Sequence, residues 1–376
     1  MHLVDFRRLS IPFPPLNEQK RIVAKIEALQ TRSTAVKEEL DAIKPLLDQF
    51  RQSVLAAAFR GDLTKDWREQ NPNVEPAEVL LERIRIERRR RWEEAELEKM
   101  KAKGKVPKDD KWKKKYKEPQ PIDTEDLPEL PNGWFCVPVE AITTKVVDGV
   151  HKKPDYINQG IPFITVKNLT AGSGISFDET RYISLEDHQE FWKRANPEKG
   201  DILISKDGTL GVTRVIKTDI VFSIFVSVAL IKPVFYELSD YLELAFTSPQ
   251  LQYQMSGTGT GLKHLHLKDL RCYATPLAPL EEQQEIVRRI ESLFKLADSI
   301  EQQYQQAEVD LETLNQSILA KAFRGELVPQ DPNDEPASVL LERIKEERDR
   351  AKPKKSKSKK RKSNKKQSKQ LDIPGI

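Results

Sequence analysis

The sequence predicts an α+β protein in which a mixed α/β domain lies between two copies of a long helical segment. Three observations lead there. The two ends of the 376-residue chain repeat each other at an offset of 264 residues. Inside each copy the apolar residues step by four and three, the 3.5-residue period of a coiled coil. Between the copies, short β-type runs separated by glycine-bearing turns replace that period.

The repeat constrains architecture more strongly than any local propensity. Pro12-Phe13-Pro14-Pro15-Leu16-Asn17-Glu18-Gln19 aligns with Pro276-Leu277-Ala278-Pro279-Leu280-Glu281-Glu282-Gln283, and Ser53 to Gly61 aligns with Ser317 to Gly325. Past a four-residue deletion, Glu75 to Ile84 matches Glu335 to Ile344. His2-Leu3 falls over His266-Leu267, so residues 1–12 are expected to be the end of a preceding domain.

Residues 13–61 form the first long helix. Its expected seam is Ile22, Ile26, Leu29, Val36, Leu40, Ile43, Leu47 and Phe50. Pro45 should kink or break it, because proline removes a ladder bond and clashes with the preceding turn. The twin over residues 277–325 has the seam Ile286, Ile290, Leu293, Ile300, Tyr304, Leu311, Leu314 and Ile318. Gly61 and Gly325 should end the two helices in the left-handed conformation that glycine tolerates. Ile22 to Val54 would span roughly 50 Å at about 1.5 Å per residue.

Residues 62–127 read as a charged helical linker: 83–117 hold 16 Lys and Arg against 7 Asp and Glu. The central domain, 128–276, opens at Leu130-Pro131-Asn132-Gly133-Trp134. Its β-type runs include Ile161 to Val166, Asp201 to Ser205 and Ile220 to Ile231. Helices are expected over Ser239 to Thr247 and after Ser248-Pro249, with serine capping and proline at the first helical position. A short helical extension covers 326–350. The remaining 351–376 is a Lys-rich tail, expected to be disordered. Eleven bases and no acid lie in 352–369, which leaves the rest of the chain seven charges negative. A solvated tail of this kind binds polyanions loosely, whatever their sequence.

Composition and missing motifs exclude several classes of function. The longest uncharged apolar stretch, Ile220 to Ile231, is too short to span a bilayer. The first residues lack the pattern of a secretory leader, so a cytoplasmic protein is expected. Cys136 and Cys272 cannot build a disulfide framework or a Cys-rich zinc site. Gly257-Thr258-Gly259-Thr260-Gly261-Leu262-Lys263 imitates a phosphate loop, but no hydroxyl follows the lysine. His264 and His266 share a strand face without a third metal ligand, and no nucleophile with its base can be named. No catalytic residue, metal site or cofactor is assigned to this chain.

What survives is a set of loop residues suited to phosphates and base edges. His151, Lys152 and Lys153 follow a glycine turn, and Lys206 and Thr209 sit in Ser205-Lys206-Asp207-Gly208-Thr209, a turn expected to present the lysine. Arg214, Lys217, Thr258, Thr260, Lys263 and His264 would complete a basic edge. Cationic side chains can donate to guanine O6 and N7, and hydroxyls and amides can hold phosphates. Singly, each is better explained as solvated surface; together they favour a polyanion.

These residues carry a family resemblance. The paired Pro-rich, Glu-Gln-containing helix starts, the exits Ala58-Phe59-Arg60-Gly61 and Ala322-Phe323-Arg324-Gly325, and Leu130-Pro131-Asn132-Gly133-Trp134 resemble the DNA-specificity subunit of Type I restriction-modification systems. Gly160-Ile161-Pro162-Phe163, Gly200 to Ser205 and Asp207-Gly208-Thr209-Leu210-Gly211 are similar to its target-recognition domain. The resemblance implies that the two long helices form an antiparallel coiled-coil spacer and dock modification subunits. Those subunits would carry S-adenosylmethionine and the adenine methyltransferase site. A restriction subunit would bring ATP-driven translocation and cleavage, with Mg²⁺ also belonging to the assembly. This chain would then be a non-catalytic reader of double-stranded DNA. The family usually has two recognition domains, whereas one is complete here. A homodimer restoring two readers, a truncated half-subunit and a coiled-coil adaptor therefore stand as alternatives. Two readers about 50 Å apart would touch half-sites up to about 15 base pairs apart, at roughly 3.4 Å per step.

Overall fold

The computed structural model describes residues 10–107, 109–125, 127–256 and 264–351. Residues 1–9, expected to end a preceding domain, and the Lys-rich tail from 352 lie outside them. The chain divides into two compact units, one of Met1–Asp41 with Gln305–Ile376 and one of Ala42–Tyr304. No helix among the described residues is long and apolar enough to cross a membrane.

Helices α1 (Leu16–Asp41) and α2 (Ile43–Phe59) form the first copy. They are interrupted at Ala42, one turn before Pro45, as the missing ladder N–H requires. Then come α3 (Lys65–Gln70) and α4 (Ala77–Ala102). The central domain contributes β1 (Phe135–Pro138), β2 (Thr143–Asp148), β3 (Ile161–Ile164), α5 (Val166–Thr170), β4 (Arg181–Ile183), α6 (Leu185–Trp192), β5 (Ile202–Ser205), β6 (Thr213–Val215), β7 (Ser223–Ile224) and β8 (Val228–Pro233). It closes with α7 (Ser239–Thr247), α8 (Pro249–Ser256), α9 (Leu267–Cys272) and β9 (Ala274–Leu277). The second copy is one helix of 44 residues, α10 (Leu280–Phe323), followed by α11 (Ala337–Arg350).

The strands form three small sheets, ordered β1-β9, β2-β8-β5-β6 and β4-β3-β7. Only the β3–β7 pairing is parallel, so the β4-β3-β7 sheet is mixed and the other two are antiparallel. The apolar run from Ile220 does not form one strand. Ile220 and Val221 are exposed, and the chain leaves one sheet at Ile224 and joins another at Val228. The uninterrupted apolarity has a physical cause: β5 and β8 are buried on both faces. Ile202, Ile204, Ala229 and Ile231 enter the main core, whereas Leu203, Val228 and Leu230 enter a second cluster with Ile164 and Phe222. Ser248 precedes α8, but its buried hydroxyl has no partner; proline at the first helical position therefore starts that helix without the expected serine cap.

The main core also takes Ala77, Leu80, Leu81 and Ile84 of α4, and Val54, Leu55, Ala58 and Phe59 of α2. The start of the charged 62–127 segment is thus a packed helix, with its charged face paired along the surface, for example Glu87 with Arg90 and Arg91. The seam residues are unequally covered. Leu47, Ile286, Ile290 and Ile318 are buried, and Ile22, Ile26, Leu29, Leu40, Ile43, Leu293, Tyr304 and Leu311 are half-buried. Val36, Phe50, Ile300 and Leu314 are exposed instead. Their neighbours Arg51, Glu301 and Asn315 take the more covered positions, because a 3.6-residue helix drifts against a 3.5-residue pattern. Within its unit, Arg51 pairs with Asp298 and Glu301, both at 2.8 Å. Within the other, Gln30, Ser33 and Thr34 line one cavity with Asn315, Ile318 and Leu319.

The two copies end alike. Gly61 has φ +82° and Gly325 φ +74°, and the 6→1 bonds Asp62 N–H to Ala57 O and Glu326 N–H to Lys321 O are 2.8 and 2.9 Å. Their surroundings differ. A Cβ on Gly61 would lie 2.2 Å from Pro131 Cγ, whereas nothing comes closer than 3.6 Å at Gly325. Gly325→Ala should cost about 1–2 kcal/mol from the left-handed backbone alone. Gly61→Ala should cost about 2 kcal/mol more through overpacking against the proline ring. Paired thermal melts of the two variants check the difference.

Pro131 belongs to a junction where three sequence motifs meet. Glu282, fully buried in the first turn of α10, accepts hydrogen bonds from Trp134 Nε1 at 2.8 Å, Thr64 Oγ1 at 2.6 Å and Arg68 at 2.5 Å. Arg68 also donates to Gly61 O at 2.6 Å and lies over the Trp134 ring. One carboxylate thus ties the start of the second long helix to the exit of the first and the opening of the central domain.

Candidate nucleic-acid interface

Strand β2 ends at Asp148, and Gly149 follows against the backbone of β7, where a Cβ would lie 2.1 Å from Ile224 O. That close approach requires glycine and launches His151, Lys152 and Lys153 into solvent before the buried Pro154 fixes the far end of the loop. Strand β5 ends at Ser205. The Ser205 hydroxyl donates to Thr209 O at 2.5 Å and accepts from Val212 N–H at 2.9 Å, closing the 206–211 loop, and Gly208 turns it with φ +71°.

Lys206 joins these pieces from below. Its backbone N–H donates to Ser227 O, and its carbonyl accepts from Leu265 N–H, both at 2.9 Å. Its ammonium, 4% exposed, lies 2.8 Å from the Asp148 carboxylate, itself 5% exposed. Arg194, just past α6, donates through Nε to the Asp148 and Gly149 carbonyls at 3.2 and 3.1 Å and pairs with the Asp148 carboxylate. Burial pushes the Asp148 carboxyl upward, but Lys206 and Arg194 together outweigh it and hold the group below its ordinary value. His151 Nε2 is 3.4 Å from the same carboxylate. His264 bonds Asp207 in an antiparallel bridge, and the His264 and His266 rings meet edge to face at 5.0 Å.

The structure therefore brings His151, Lys152, Lys153, Thr209 and His264 onto three neighbouring loops, supported by Asp148. Lys152, Lys153 and Thr209 are exposed, and neither lysine has an ion-pair partner among the described residues. Lys206, expected to be presented by its turn, is buried beneath this edge because its strand pairing aims it at Asp148. Arg214 stands apart: it is half-buried and donates to Gly172 O at 2.5 Å and Gly174 O at 3.3 Å, with burial lowering its pKa. Lys217 pairs with Asp240 at 3.0 Å and lines the same cavity as Arg214. Thr258, Thr260 and Lys263 lie outside the described residues.

Arg194 is a site residue that sequence reasoning missed, and Asp148, which opens the run to Pro154, was legible there only as part of a glycine turn and not as the buried partner of Lys206. The only local signal for Arg194 was the cationic pair Lys193-Arg194 just past a helix end. No group of three or more potential metal ligands occurs among the described residues. Cys136 and Cys272 are free thiols, and burial raises Cys136 to about 11.

Residues 149–309 match the family described as Type I restriction modification DNA specificity domain. The EcoBI specificity subunit of Escherichia coli is 33% identical over 356 residues, covering 90% of this chain and 64% of the relative. The EcoKI specificity subunit of Escherichia coli strain K12 is 29% identical over 361 residues, covering 92% of this chain and 65% of the relative. The chain thus spans somewhat less than two thirds of these relatives. A solved structure described as the basis of complex assembly and conformational transition of the type I R-M system shares the fold, with a TM-score of 0.54 and 23% identity over 84% of this chain and 62% of that one. The duplicated helices, the central-domain motifs and these matches agree, and the chain carries, over residues 149–309, the Type I restriction modification DNA specificity domain.

Proposed function

We propose that this chain is the non-catalytic DNA reader of a Type I complex, directing adenine methylation and restriction to a bipartite target. The carrying observation is the loop edge over Asp148 and Lys206. It gathers the loops bearing His151, Lys152, Lys153, Thr209 and His264 around the buried Asp148–Lys206 ion pair, which Arg194 joins through the same carboxylate. Loops positioned in this way on strand ends suit a groove surface: lysines neutralise phosphates while positioned side chains read base edges.

The two long helical segments act in this reading as an antiparallel spacer that docks the modification subunits. Two contacts support the pairing. Within the Ala42–Tyr304 unit Arg51 pairs with Asp298 and Glu301, and Asp66, beyond the end of α2, pairs with Arg289, so residue numbers rise along one segment as they fall along the other. The half-buried charge at Arg51 would fix register, as polar groups do at coiled-coil seams. S-adenosylmethionine, Mg²⁺ and ATP would be bound by the modification and restriction subunits. A second recognition domain, from a longer chain or from a second copy, would supply the other half-site.

Co-expression with cognate modification subunits, followed by mapping of methylated adenines, tests this. The expected result is methylation at two short half-sites separated by a fixed gap. Methylation without sequence preference, or methylation that does not depend on this chain, would overturn the reading and favour an adaptor. A second expectation concerns the exposed loop: replacing both Lys152 and Lys153 with alanine should weaken binding to all duplexes alike. The slope of log K against log salt should become shallower by about 0.9 for each phosphate that is no longer neutralised, with thermal stability unchanged.

A further inference from the structure

Helix α4 leaves the core after Ile84, its last buried residue, and the stretch from there to Ala102 runs for roughly 27 Å at about 1.5 Å per residue. Gly104, at φ +66°, ends it, with Lys105 N–H bonded to Met100 O at 2.9 Å. The chain then returns along the helix through a single 3₁₀ turn, Asp110–Lys115, which Asp109 caps by accepting from Lys111 N–H at 3.1 Å. Aromatic rings fix the return. Trp112, 9% exposed, stacks on Trp92 with ring centres 6.1 Å apart, and Tyr116 meets Trp92 at 5.3 Å. Arg88 donates to Tyr116 Oη at 2.9 Å and to Thr143 O at 3.0 Å, which ties this hairpin to the start of β2.

The hairpin concentrates one charge. Residues 99–117 hold ten lysines, no arginine and two acids. Those acids, Asp109 and Asp110, pair with Lys111 and Lys113 at 3.2 and 3.3 Å. Lys101, Lys103, Lys105, Lys114, Lys115 and Lys117 are exposed and have no ion-pair partner among the described residues. A cleft of about 370 Å³ opens between the two arms, lined by Lys99, Lys103, Lys105 and Lys115 with Trp112. The acids lining it, Glu96 and Asp109, are engaged by Lys99 and Lys111. A solvated linker has no need of such a clamp, and the other lysine-rich run, 352–369, contains no aromatic residue. Here three rings hold like charges together against their repulsion, and a polyanion offsets that repulsion.

We propose that this hairpin is a sequence-blind contact for the phosphates of duplex DNA, separate from the loop edge that reads bases. Its composition selects DNA over an acidic protein surface. Protein interfaces are depleted in lysine and depend on buried aromatic and arginine anchors. The rings here are occupied by the clamp, and Val106 is the one large apolar side chain exposed between residues 99 and 117 of those described. Lysine neutralises a phosphate as a point charge and lacks the planar fork with which arginine reads guanine. Position separates the two contacts. The hairpin is tied to the Thr143 end of β2, whereas the loops bearing His151 to Lys153 leave from the Asp148 end. The inference rests on the DNA-reading interpretation above, but its test uses random-sequence duplex, so phosphate contact can fail while target selection stands.

Acylation of lysine side chains in the full chain, read by mass spectrometry with and without random-sequence duplex, is the test. Lys101, Lys103, Lys105, Lys114, Lys115 and Lys117 should react several-fold more slowly when the duplex is present, and the protection should vanish as salt is raised. Unchanged reactivity in the hairpin, with protection confined to the lysines of 352–369 or to Lys152 and Lys153, overturns the proposal. Replacing Lys114, Lys115 and Lys117 with alanine leaves the aromatic clamp in place. Binding of target and random duplexes should then weaken by the same factor. The slope of log K against log salt should become shallower by about 0.9 for each phosphate that is no longer neutralised. An altered preference for target over random duplex would make the hairpin a reader of sequence. Unaltered binding to both, with modification subunits lost from the co-expressed complex, would assign the hairpin to an acidic protein surface. Either result overturns the proposal.

Discussion

Glu282→Leu should destabilise the Ala42–Tyr304 unit by about 3–5 kcal/mol, the cost of removing one member of a buried, hydrogen-bonded ion pair. The side chain is 1% exposed and its main charged partner Arg68 only 22%, so solvent cannot take over the role. Leucine would fill the volume. It would leave the Trp134 indole N–H and the Thr64 hydroxyl without an acceptor and Arg68 without its counter-ion. Because the same carboxylate joins three segments, the loss should also loosen the start of α10 against the core. Urea unfolding followed by tryptophan fluorescence should show a lower midpoint. An unchanged midpoint would mean that Arg68 and Trp134 find other partners at no cost.

The second large effect is expected at Asp148. Replacing it with alanine strands the Lys206 ammonium in a site where it is 4% exposed, and about 3 kcal/mol of destabilisation should follow. The Arg194 arm is 47% exposed and adds less than about 1 kcal/mol. The pH dependence has a definite sign. In the folded protein the Asp148 pKa is held below its ordinary value by Lys206 and Arg194 in spite of burial. Its contribution is therefore complete above the unfolded-state pKa, near 4, and is lost as the pH falls through the lower folded-state value. Thermal melts should show parent stability declining below about pH 4 more steeply than that of Asp148→Asn, which lacks the titrating group. Asp148→Asn should also narrow the preference for target over random duplex, because the loops bearing His151 to Lys153 and Thr209 lose their common anchor. Equal discrimination by parent and variant would separate the ion pair from recognition.

Some of this site was legible in the chain because its signals are local. The glycine turn before His151, the turn around Gly208 and the lysines of the first loop follow from residue type and spacing. The basic edge was misdrawn at two places for one reason. Lys206 and Arg214 each follow or occupy a strand, and the neighbouring strand decides whether such a side chain meets water or an acid. Lys206 was aimed at a carboxylate 58 positions earlier, and Arg214 at the carbonyls of Gly172 and Gly174. The seam slipped in a similar way. The apolar period identified the helices, but the exposed Ile300 and Leu314 and the more covered Glu301 and Asn315 reflect helical drift and the neighbouring surface.

By itself the sequence determined the duplication, the two long helical segments with their break before Pro45 and their glycine exits, and the resemblance to Type I specificity subunits. Each of these depends on periodic burial, on proline's missing N–H or on a positive φ, which are properties of a few consecutive residues. Tertiary structure alone decided that Asp148 underlies the loops bearing His151 to Lys153 and Thr209, and that Glu282 binds three motifs. Those outcomes depend on which donors come within about 3 Å of a buried carboxylate, and partners brought together from 58 to 218 residues away are chosen by packing and strand register.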